Sequence, residues 1–497
     1  MVKISEENII NKSPKALSVI FLIIYGSIFI YCMSLRLFYP FEINWLEGEI
    51  FINTLRVFEG KDIYQNPASG FITEIYPPVF YWTGSVFFLI FGKNIWALRL
   101  ISLCSFTLLI FLIQRISTQE KKGTTASLTA ITIFVALYQA NGTWYDVARV
   151  DMLFLCIAVT GLYFISFTKS YLKLFLGTSI LILSFFTKQV GIFFISIACL
   201  YIFLSDRKKG ILFTVTSFSI LTLSVYLYNW FTDGWFLVYI FDNPRHITIS
   251  ESFISDITSD ILPFLPILLF VILDIFRRIF RKREQPDIWD LAFLISIFSF
   301  LFIRCRTGSH LNDHIPLTYF TAVIFSFKIF NKDSYILKRK FNIKTISIVI
   351  LLIQMCILLY NPLKYIPNQN SEYFGKNFIK RIRDIEGEVF MPYHQFYAYL
   401  AGKKTYLSAG AHWAYRIGNY YYPEEVINKL RSKKFSIVII DDLEFKEYIL
   451  GKDISKEINN NYYLKECVYY HNSAEFNIVA GNKTRPLYIY YPKNSKS

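Results

Sequence analysis

The sequence predicts an all-α polytopic membrane protein with about eleven transmembrane helices, two further helices at the membrane surface, and a small C-terminal α/β domain. Hydrophobic residues make up 54% of the 497 positions and charged residues only 18%, whereas a soluble domain carries about 25% charged residues. Apolar runs of about 15–20 residues, long enough to cross a hydrocarbon core, recur along the first 360 positions. These features exclude a soluble enzyme, a disordered chain, a disulfide scaffold and an outer-membrane barrel, whose strands would alternate apolar and polar residues.

The apolar runs give eleven candidate spans. The first run is longer than a signal-peptide core and lacks a small-residue cleavage site, so we expect it to be a retained anchor. The predicted spans are residues 16–33, 95–114, 123–140, 151–168, 172–187, 190–205, 210–228, 262–276, 288–303, 315–330 and 343–360. Residues 1–360 therefore form a predicted transmembrane domain, and residues 361–497 a separate domain.

The distribution of Lys and Arg predicts the topology. Cations cluster in alternate loops, for example at Arg207–Lys209 and Arg277–Arg283, as cytoplasmic loops do. The apolar stretch Val79–Phe91 would reach only about 20 Å as a helix, too short to cross the membrane. We therefore predict an interfacial helix there, the N-terminus inside and the C-terminus outside a bacterial cytoplasmic (inner) membrane. Because the net charge of +15 is dispersed in this way, it does not indicate a nucleic-acid partner.

The first outer loop, residues 34–94, contains the second surface helix. Phe51, Leu55 and Phe58 recur at helical spacing, which predicts an amphipathic helix lying on the membrane. Glu47 stands at the N-terminus of this helix. Together, this helix and the helix at Val79–Phe91 would cover an outer cavity.

Several short motifs follow one another in a recognisable order. The surface helix ends in Glu-Gly and is followed by Tyr76-Pro77-Pro78, Ala97–Leu100, Arg149–Met152 and Phe186–Gln189. Over about residues 16–330 this order resembles the integral-membrane glycosyltransferases of the C-type (GT-C) fold, in particular the superfamily of protein O-mannosyltransferases and aminoarabinose transferases. Family members often have Asp-Glu where this chain has Leu46-Glu47.

The resemblance implies a sugar donor carried on a polyprenyl phosphate and a hydroxyl acceptor that is a lipid, a glycan or a protein. Transfer would occur on the extracytoplasmic face, with inversion and without a cofactor. The chain has no glycine-rich phosphate loop of the kind that binds nucleotides. Two other functions are a transporter or flippase of lipid-linked sugars, and an O-antigen-type ligase or polymerase. A transporter would be expected to contain inverted repeats, and the sequence shows none.

Three ionisable residues are the main site candidates. Glu47 is the candidate base. Alternatively, Glu47 only stabilises the N-terminus of its helix, where the helix dipole favours a carboxylate. Asp151, at the outer start of a span, is a candidate to orient the acceptor or the base, or else it pairs with Arg149 or caps its helix. Lys188 is a candidate ligand of the carrier phosphate, or else it extends to lipid headgroups.

Other candidates come from the remaining outer loops. Arg306 and His310 are candidate phosphate ligands, and His310 with His314 has a spacing that a metal site could use, although we predict no metal. Tyr76, Trp235 and Glu49 are possible sugar or acceptor contacts. Trp235 also suits an interfacial aromatic belt, Glu49 suits a solvated helix face, and Asp146 is expected to be an exposed loop residue.

The polar C-terminal region predicts strands at Glu388–Pro392 and Phe435–Asp441 and a helix at Pro423–Arg431. Aromatic runs at Tyr462–Tyr470 and Pro486–Tyr491 indicate further strands. We expect this domain to cover the cavity or to help select the acceptor.

Overall fold

The computed structural model describes residues 2–167, 170–329, 343–417, 423–441, 446–468, 476 and 478–493. Within the first part of the chain, each predicted span corresponds to a helix. The helices are α1 (Val2–Leu37), α2 (Glu47–Phe58), α3 (Val79–Phe91), α4 (Ile95–Gln119), α5 (Gly123–Ala136), α6 (Val150–Ser166), α7 (Tyr171–Phe185), α8 (Gly191–Ser205), α9 (Arg207–Phe231), α10 (Trp235–Leu237), α11 (Asn243–Arg245), α12 (Phe253–Ile261), α13 (Leu265–Phe276), α14 (Ile288–Arg304), α15 (Ile315–Ile329) and α16 (Ile343–Ile357).

Four helical segments of the described chain are long and apolar enough to cross a membrane by themselves: Lys15–Leu37, Ile95–Gln119, Arg207–Phe231 and Phe253–Arg281. The helices of the other predicted spans have 14–17 residues. A helix of that length covers about 21–26 Å, less than a full hydrocarbon core of about 30 Å. The helices are confirmed at all eleven positions, and the number of complete crossings stays a prediction.

Helices α6 and α7 pack closely because glycines face each other. A Cβ on Gly161 would lie 2.7 Å from Leu181 Cγ, and one on Gly177 would lie 2.8 Å from Ile165 Cγ1. Small residues allow two apolar helices to approach to van der Waals contact in a membrane.

The loops predicted to lie outside gather at one end of the bundle. Arg36 at the end of α1 pairs with Asp146 after α5, with Nε and Oδ2 3.1 Å apart. At the opposite end, Trp289 at the start of α14 donates to Glu120 after α4. The predicted alternation of loops is therefore consistent with the structure, and which end faces the cytoplasm stays a prediction.

Both helices predicted in the first outer loop are present. Helix α3 spans the same residues as the apolar stretch and exposes Leu89 and Ile90, at 76% and 63%. In α2, Phe51 packs against Phe88 of α3 and against Phe396 and Tyr399 of the C-terminal domain, so protein rather than membrane covers the apolar face that was expected to lie on the bilayer. Glu49 and Asn53 on its polar side are buried as well, at 6% and 3%, because the C-terminal domain covers them.

The C-terminal region forms a small α/β domain. Its helices and strands are α17 (Gln369–Asp384), β1 (Glu388–Phe390), α18 (Gln395–Leu400), α19 (Ala409–Ile417), α20 (Glu424–Arg431), β2 (Phe435–Ile440), α21 (Lys446–Asn461), β3 (Tyr462–Cys467) and β4 (Tyr488–Pro492). The sheet order is β1-β2-β4-β3, with β1 parallel to β2 and the other neighbours antiparallel. The strands begin within two residues of the predicted positions, and helix α20 begins one residue later than expected.

The C-terminal domain is tied to the first outer loop by a buried hydrogen-bonded chain. His394 Nδ1 contacts a carboxylate oxygen of Glu42, and His394 Nε2 lies 2.7 Å from Asp441 Oδ2 at the end of β2. Asn44 adds a hydrogen bond of 3.1 Å from its side-chain amide to the carbonyl of Ala480. These contacts hold the domain over α2.

Candidate active site

Glu47, the first residue of α2, lies in a buried ion pair with Arg99 of α4. Arg99 Nε donates to Oε1 at 2.9 Å, and Nη2 donates to Oε2 at 2.8 Å. The backbone N–H groups of Ala148 and Ile43 also donate to the carboxylate, each at 2.8 Å. Both charged side chains are fully buried, so the pair joins the first outer loop, α4 and the loop before α6.

This geometry does not support the predicted role of Glu47 as the base. Burial alone would raise the pKa of its carboxyl group, but the Arg99 charge and the four hydrogen bonds outweigh that effect and lower the pKa. A general base must also reach the proton that it removes. Both oxygens of Glu47 accept hydrogen bonds from protein donors in this arrangement, and its role as the base stays a prediction.

Five residues form what we call the buried polar centre: Tyr76, Arg149, Asp151, Lys188 and Asp313. Lys188 Nζ lies 2.7 Å from Asp151 Oδ1 and 3.0 Å from Asp313 Oδ1. Arg149 Nη2 donates to the Tyr76 hydroxyl at 2.7 Å. The centre thus gathers residues from the first outer loop, the start of α6, the turn between α7 and α8, and the segment before α15.

The centre contains charged groups that lack hydrogen-bond partners. Nε and Nη1 of Arg149 and Oδ2 of Asp151 are buried without a hydrogen bond to another described residue, and Arg149 Nε and Asp151 Oδ2 face each other at 4.0 Å. The Arg149 guanidinium also lies over the ring of Trp144, 4.9 Å from its centroid. Because buried polar groups are normally paired, these atoms indicate a place where a polar ligand or water binds.

Lys188 stays charged inside the centre. Burial lowers the pKa of its ammonium group, but the carboxylates of Asp151 and Asp313 outweigh this effect and raise the pKa. An ammonium carries three hydrogens, and the two carboxylates use two of them. One hydrogen therefore remains for an anionic ligand.

A second feature next to the centre is a pair of carboxyl groups, Glu49 and Glu74. Both side chains are buried, and burial together with the charge of Glu49 raises the pKa of Glu74 well above its usual range. The backbone N–H of Gly410 donates to Glu49 Oε1 at 3.1 Å. Glu49 Oε2 and Glu74 Oε1 are buried without a hydrogen bond to another described residue.

A narrow cleft opens above this carboxyl pair. Its lining includes Asn53 of α2 and Gln395, Ser408 and Ala411 of the C-terminal domain, and its empty space of about 180 Å³ is too narrow to hold a water molecule. The C-terminal domain therefore covers the pair directly, as expected for a domain over the outer cavity.

Two sequence expectations about burial are wrong. Glu49 is buried rather than solvated, since the C-terminal domain packs over that side of α2. Asp146 is fully buried rather than exposed, because it pairs with Arg36 and accepts a hydrogen bond of 2.9 Å from the Tyr138 hydroxyl. Lys188 does not extend to lipid headgroups, because its ammonium points into the buried polar centre.

Arg306 and Trp235 lie outside the centre, whereas His310 borders it, since its backbone N–H donates to Asp313 Oδ2 at 3.3 Å. Arg306 Nη1 donates to the carbonyl of Pro244 and its guanidinium lies over Phe302, so it has no contact with the five residues of the centre. Trp235, in the short helix α10, packs against the hydrophobic core. The half-buried ring of His310 lies 6.3 Å from that of Trp144, which contacts Arg149; burial lowers the pKa of His310 to about 4.

The structure adds two acidic residues that sequence reasoning missed. Glu74 stands two positions before Tyr76, and Asp313 stands in the polar segment before α15. Asp313 lies in the same polar segment as the candidates Arg306 and His310, and Glu74 lies just before Tyr76-Pro77-Pro78; these positions were the available signal. Among the described residues, no three His, Cys, Asp or Glu side chains are placed to hold a metal ion.

No protein-family model and no curated protein sequence matches the chain. Solved structures do match. ArnT from Cupriavidus metallidurans in the apo state has a TM-score of 0.54 and 11% identity, covering 96% of this chain and 97% of that one. The oligosaccharyltransferase of Archaeoglobus fulgidus in complex with zinc and sulfate has a TM-score of 0.54 and 12% identity, covering 90% and 72%. ArnT bound to undecaprenyl phosphate has a TM-score of 0.48 and 13% identity, covering 90% and 88%.

These likenesses show the fold. The chain has the GT-C architecture of ArnT and the archaeal oligosaccharyltransferase, with apolar helices below and a C-terminal domain that contains a sheet above.

Proposed function

We propose that this chain is a glycosyltransferase that moves a sugar from a polyprenyl-phosphate donor to a hydroxyl acceptor on the extracytoplasmic face of a cell membrane. The observation that carries the proposal is the buried polar centre, where Arg149 has two donor nitrogens without partners and Lys188 has one hydrogen left. The shared GT-C fold supports the same reading.

The reaction requires stabilisation of a leaving phosphate. As the bond between the anomeric carbon and the phosphate oxygen breaks, that oxygen keeps the electron pair and its charge grows. Arg149 and Lys188 supply fixed positive charge in a buried site, where such charge stabilises the transition state strongly. Asp151 and Asp313 hold Lys188 in place, and Tyr76 holds one nitrogen of Arg149.

The reaction also requires a group that takes the acceptor proton. Glu49 suits this role better than Glu47, because its Oε2 has no hydrogen-bond partner among the described residues, whereas both oxygens of Glu47 accept from protein donors. The neighbouring Glu74, whose pKa is raised by burial and by the charge of Glu49, keeps its proton and leaves the negative charge on Glu49. The acceptor oxygen attacks the anomeric carbon while its proton moves to Glu49. A single displacement of this kind inverts the anomeric centre.

The proposal is tested with the purified full-length protein in lipid nanodiscs and a panel of radiolabelled polyprenyl-phosphate sugars. Transfer releases free polyprenyl phosphate, whereas a transporter would move the donor without breaking the sugar–phosphate bond. Lys188→Met should reduce release at least about 100-fold. Lys61→Met is the matched control, since Lys61 is exposed in the first outer loop and pairs only with Glu59 among the described residues. Release that is unchanged in Lys188→Met would overturn the proposal.

A further inference from the structure

A second site lies at the predicted outer membrane surface, where the C-terminal domain meets the ends of α1 and α4. It is a groove of about 510 Å³ between the end of α1, the start of α4, and helices α17 and α18. We call it the interfacial groove. It is lined by Phe38, Pro40, Phe41, Lys93, Asn94, Ile95, Trp96, Lys376, Ile379, Lys380, Arg383, Phe396 and Leu400. Its volume falls within the range of about 300–1,000 Å³ that is typical of ligand sites.

The groove is strongly cationic. Lys376, Lys380 and Arg383 follow one another at i, i+4 and i+7, so they stand along one face of α17. Lys93 approaches from the turn before α4, and the lining contains no acidic residue. Glu372 and Glu59 pair with Lys376 and Lys93 outside the lining, but these pairs are exposed to solvent and hold their cations weakly.

The floor of the groove is apolar and continues to the side of the helix bundle. Phe38 is 65% exposed just beyond the end of α1, and its ring lies 5.6 Å from that of Trp96. Aromatic residues at this level normally contact the region between lipid headgroups and acyl chains. The groove thus offers cations to a headgroup and aromatic rings to the chain attached to it.

We propose that the interfacial groove binds a lipid that carries a phosphate headgroup. The four cations match an anionic headgroup, and the exposed aromatic floor matches an acyl or prenyl chain that enters from the bilayer. Helix α18 separates the groove from the carboxyl pair, because Gln395 lines the cleft above the pair while Phe396 lines the groove. The groove is therefore a second lipid site next to the reaction centre, and its occupancy does not depend on the proposed transfer reaction.

The test titrates the purified full-length protein in detergent with brominated phosphatidic acid and follows the quenching of tryptophan fluorescence. We expect saturable quenching that Trp96→Phe reduces. Lys376→Glu/Lys380→Glu should weaken the apparent affinity at least tenfold. Lys452→Glu/Lys456→Glu is the matched control, because it reverses two exposed lysines one turn apart on α21 of the same domain.

Three results would overturn the proposal. Brominated phosphatidylcholine could quench with the same affinity, which would indicate simple partitioning of acyl chains. The charge reversal on α17 could bind phosphatidic acid like the wild type. Inorganic phosphate could displace the lipid at equal concentration, which would indicate a site for free phosphate. A melting temperature equal to that of the wild type shows that each variant is folded.

Discussion

Arg99 and Glu47 form a buried ion pair that connects several segments at the outer end of the molecule. The guanidinium holds both carboxylate oxygens and also donates to the backbone carbonyls of Tyr39 and Phe41, each at 2.6 Å. Arg99 thus contacts the first outer loop both in the segment before α2 and at the first residue of α2. This ion pair also positions Glu49, since Glu49 lies two residues after Glu47 on the same helix.

We predict that Glu47→Gln destabilises the protein rather than selectively removing turnover. The amide would present a donor to Ala148 or Ile43 and would leave Arg99 without its counter-charge. Removing one partner of a buried pair costs about 3–5 kcal/mol. The melting temperature of the purified variant in detergent measures the effect. A normal melting temperature with abolished turnover would restore Glu47 as the base.

Lys188→Met should lose both stability and donor turnover, because it leaves the carboxylates of Asp151 and Asp313 buried without a cation. The double variant Lys188→Met/Asp313→Asn removes one of these charges. We expect the double variant to regain much of the melting temperature but none of the turnover. Recovery of turnover in the double variant would show that Lys188 is needed only for folding.

Glu74→Gln should change how stability depends on pH. Burial raises the pKa of Glu74, so the native state binds this proton more tightly than the unfolded chain, and wild-type stability falls as pH rises above about 4.5. The melting temperature of Glu74→Gln relative to wild type should therefore increase between about pH 5 and pH 8. If the melting temperatures of the variant and the wild type changed in parallel with pH, the raised pKa of Glu74 would be contradicted. Glu59→Gln, in the same loop but half-exposed, is the control.

Glu49→Gln should lower the maximum transfer rate at least about tenfold and flatten the acidic limb of the pH–rate profile, because its amide cannot take the acceptor proton. Both parameters come from initial rates of carrier release at a series of pH values. A profile that superimposes on the wild type would exclude Glu49 from proton transfer.

His394 should make the attachment of the C-terminal domain sensitive to alkaline pH. Burial lowers the pKa of its imidazole, but Asp441 and Glu42 outweigh burial and raise it to about 10. This stabilisation is complete below about pH 6.5 and is lost as pH rises towards 10. Burial raises the pKa of Glu42 to about 7, so Glu42 titrates below the interval from pH 8 to pH 10.

We therefore expect the melting temperature to fall between pH 8 and pH 10 in the wild type and to fall less in His394→Gln. Limited proteolysis of the linker before α17 is a second readout of domain attachment. His246→Gln, at an exposed position, should behave like the wild type. A His394→Gln curve that follows the wild type would show that the buried chain does not titrate in this range.

The helices were predictable because their signals are local. Hydropathy identified each apolar helix, and the bounds of α3 coincide with the apolar stretch Val79–Phe91. The partners of charged residues were not predictable, because they come from distant parts of the chain. Glu49 is buried by residues about 360 positions later, and Lys188 meets Asp313 across 125 positions. A single sequence contains no record of such pairings.

The most direct test of the account is a cryo-electron microscopy map of the protein in nanodiscs with an added polyprenyl phosphate. We expect density for the phosphate within hydrogen-bonding distance of Arg149 and Lys188, while Asp151 and Asp313 still accept hydrogen bonds from Lys188. Phosphate density beside Arg306, with the buried polar centre unchanged, would contradict it.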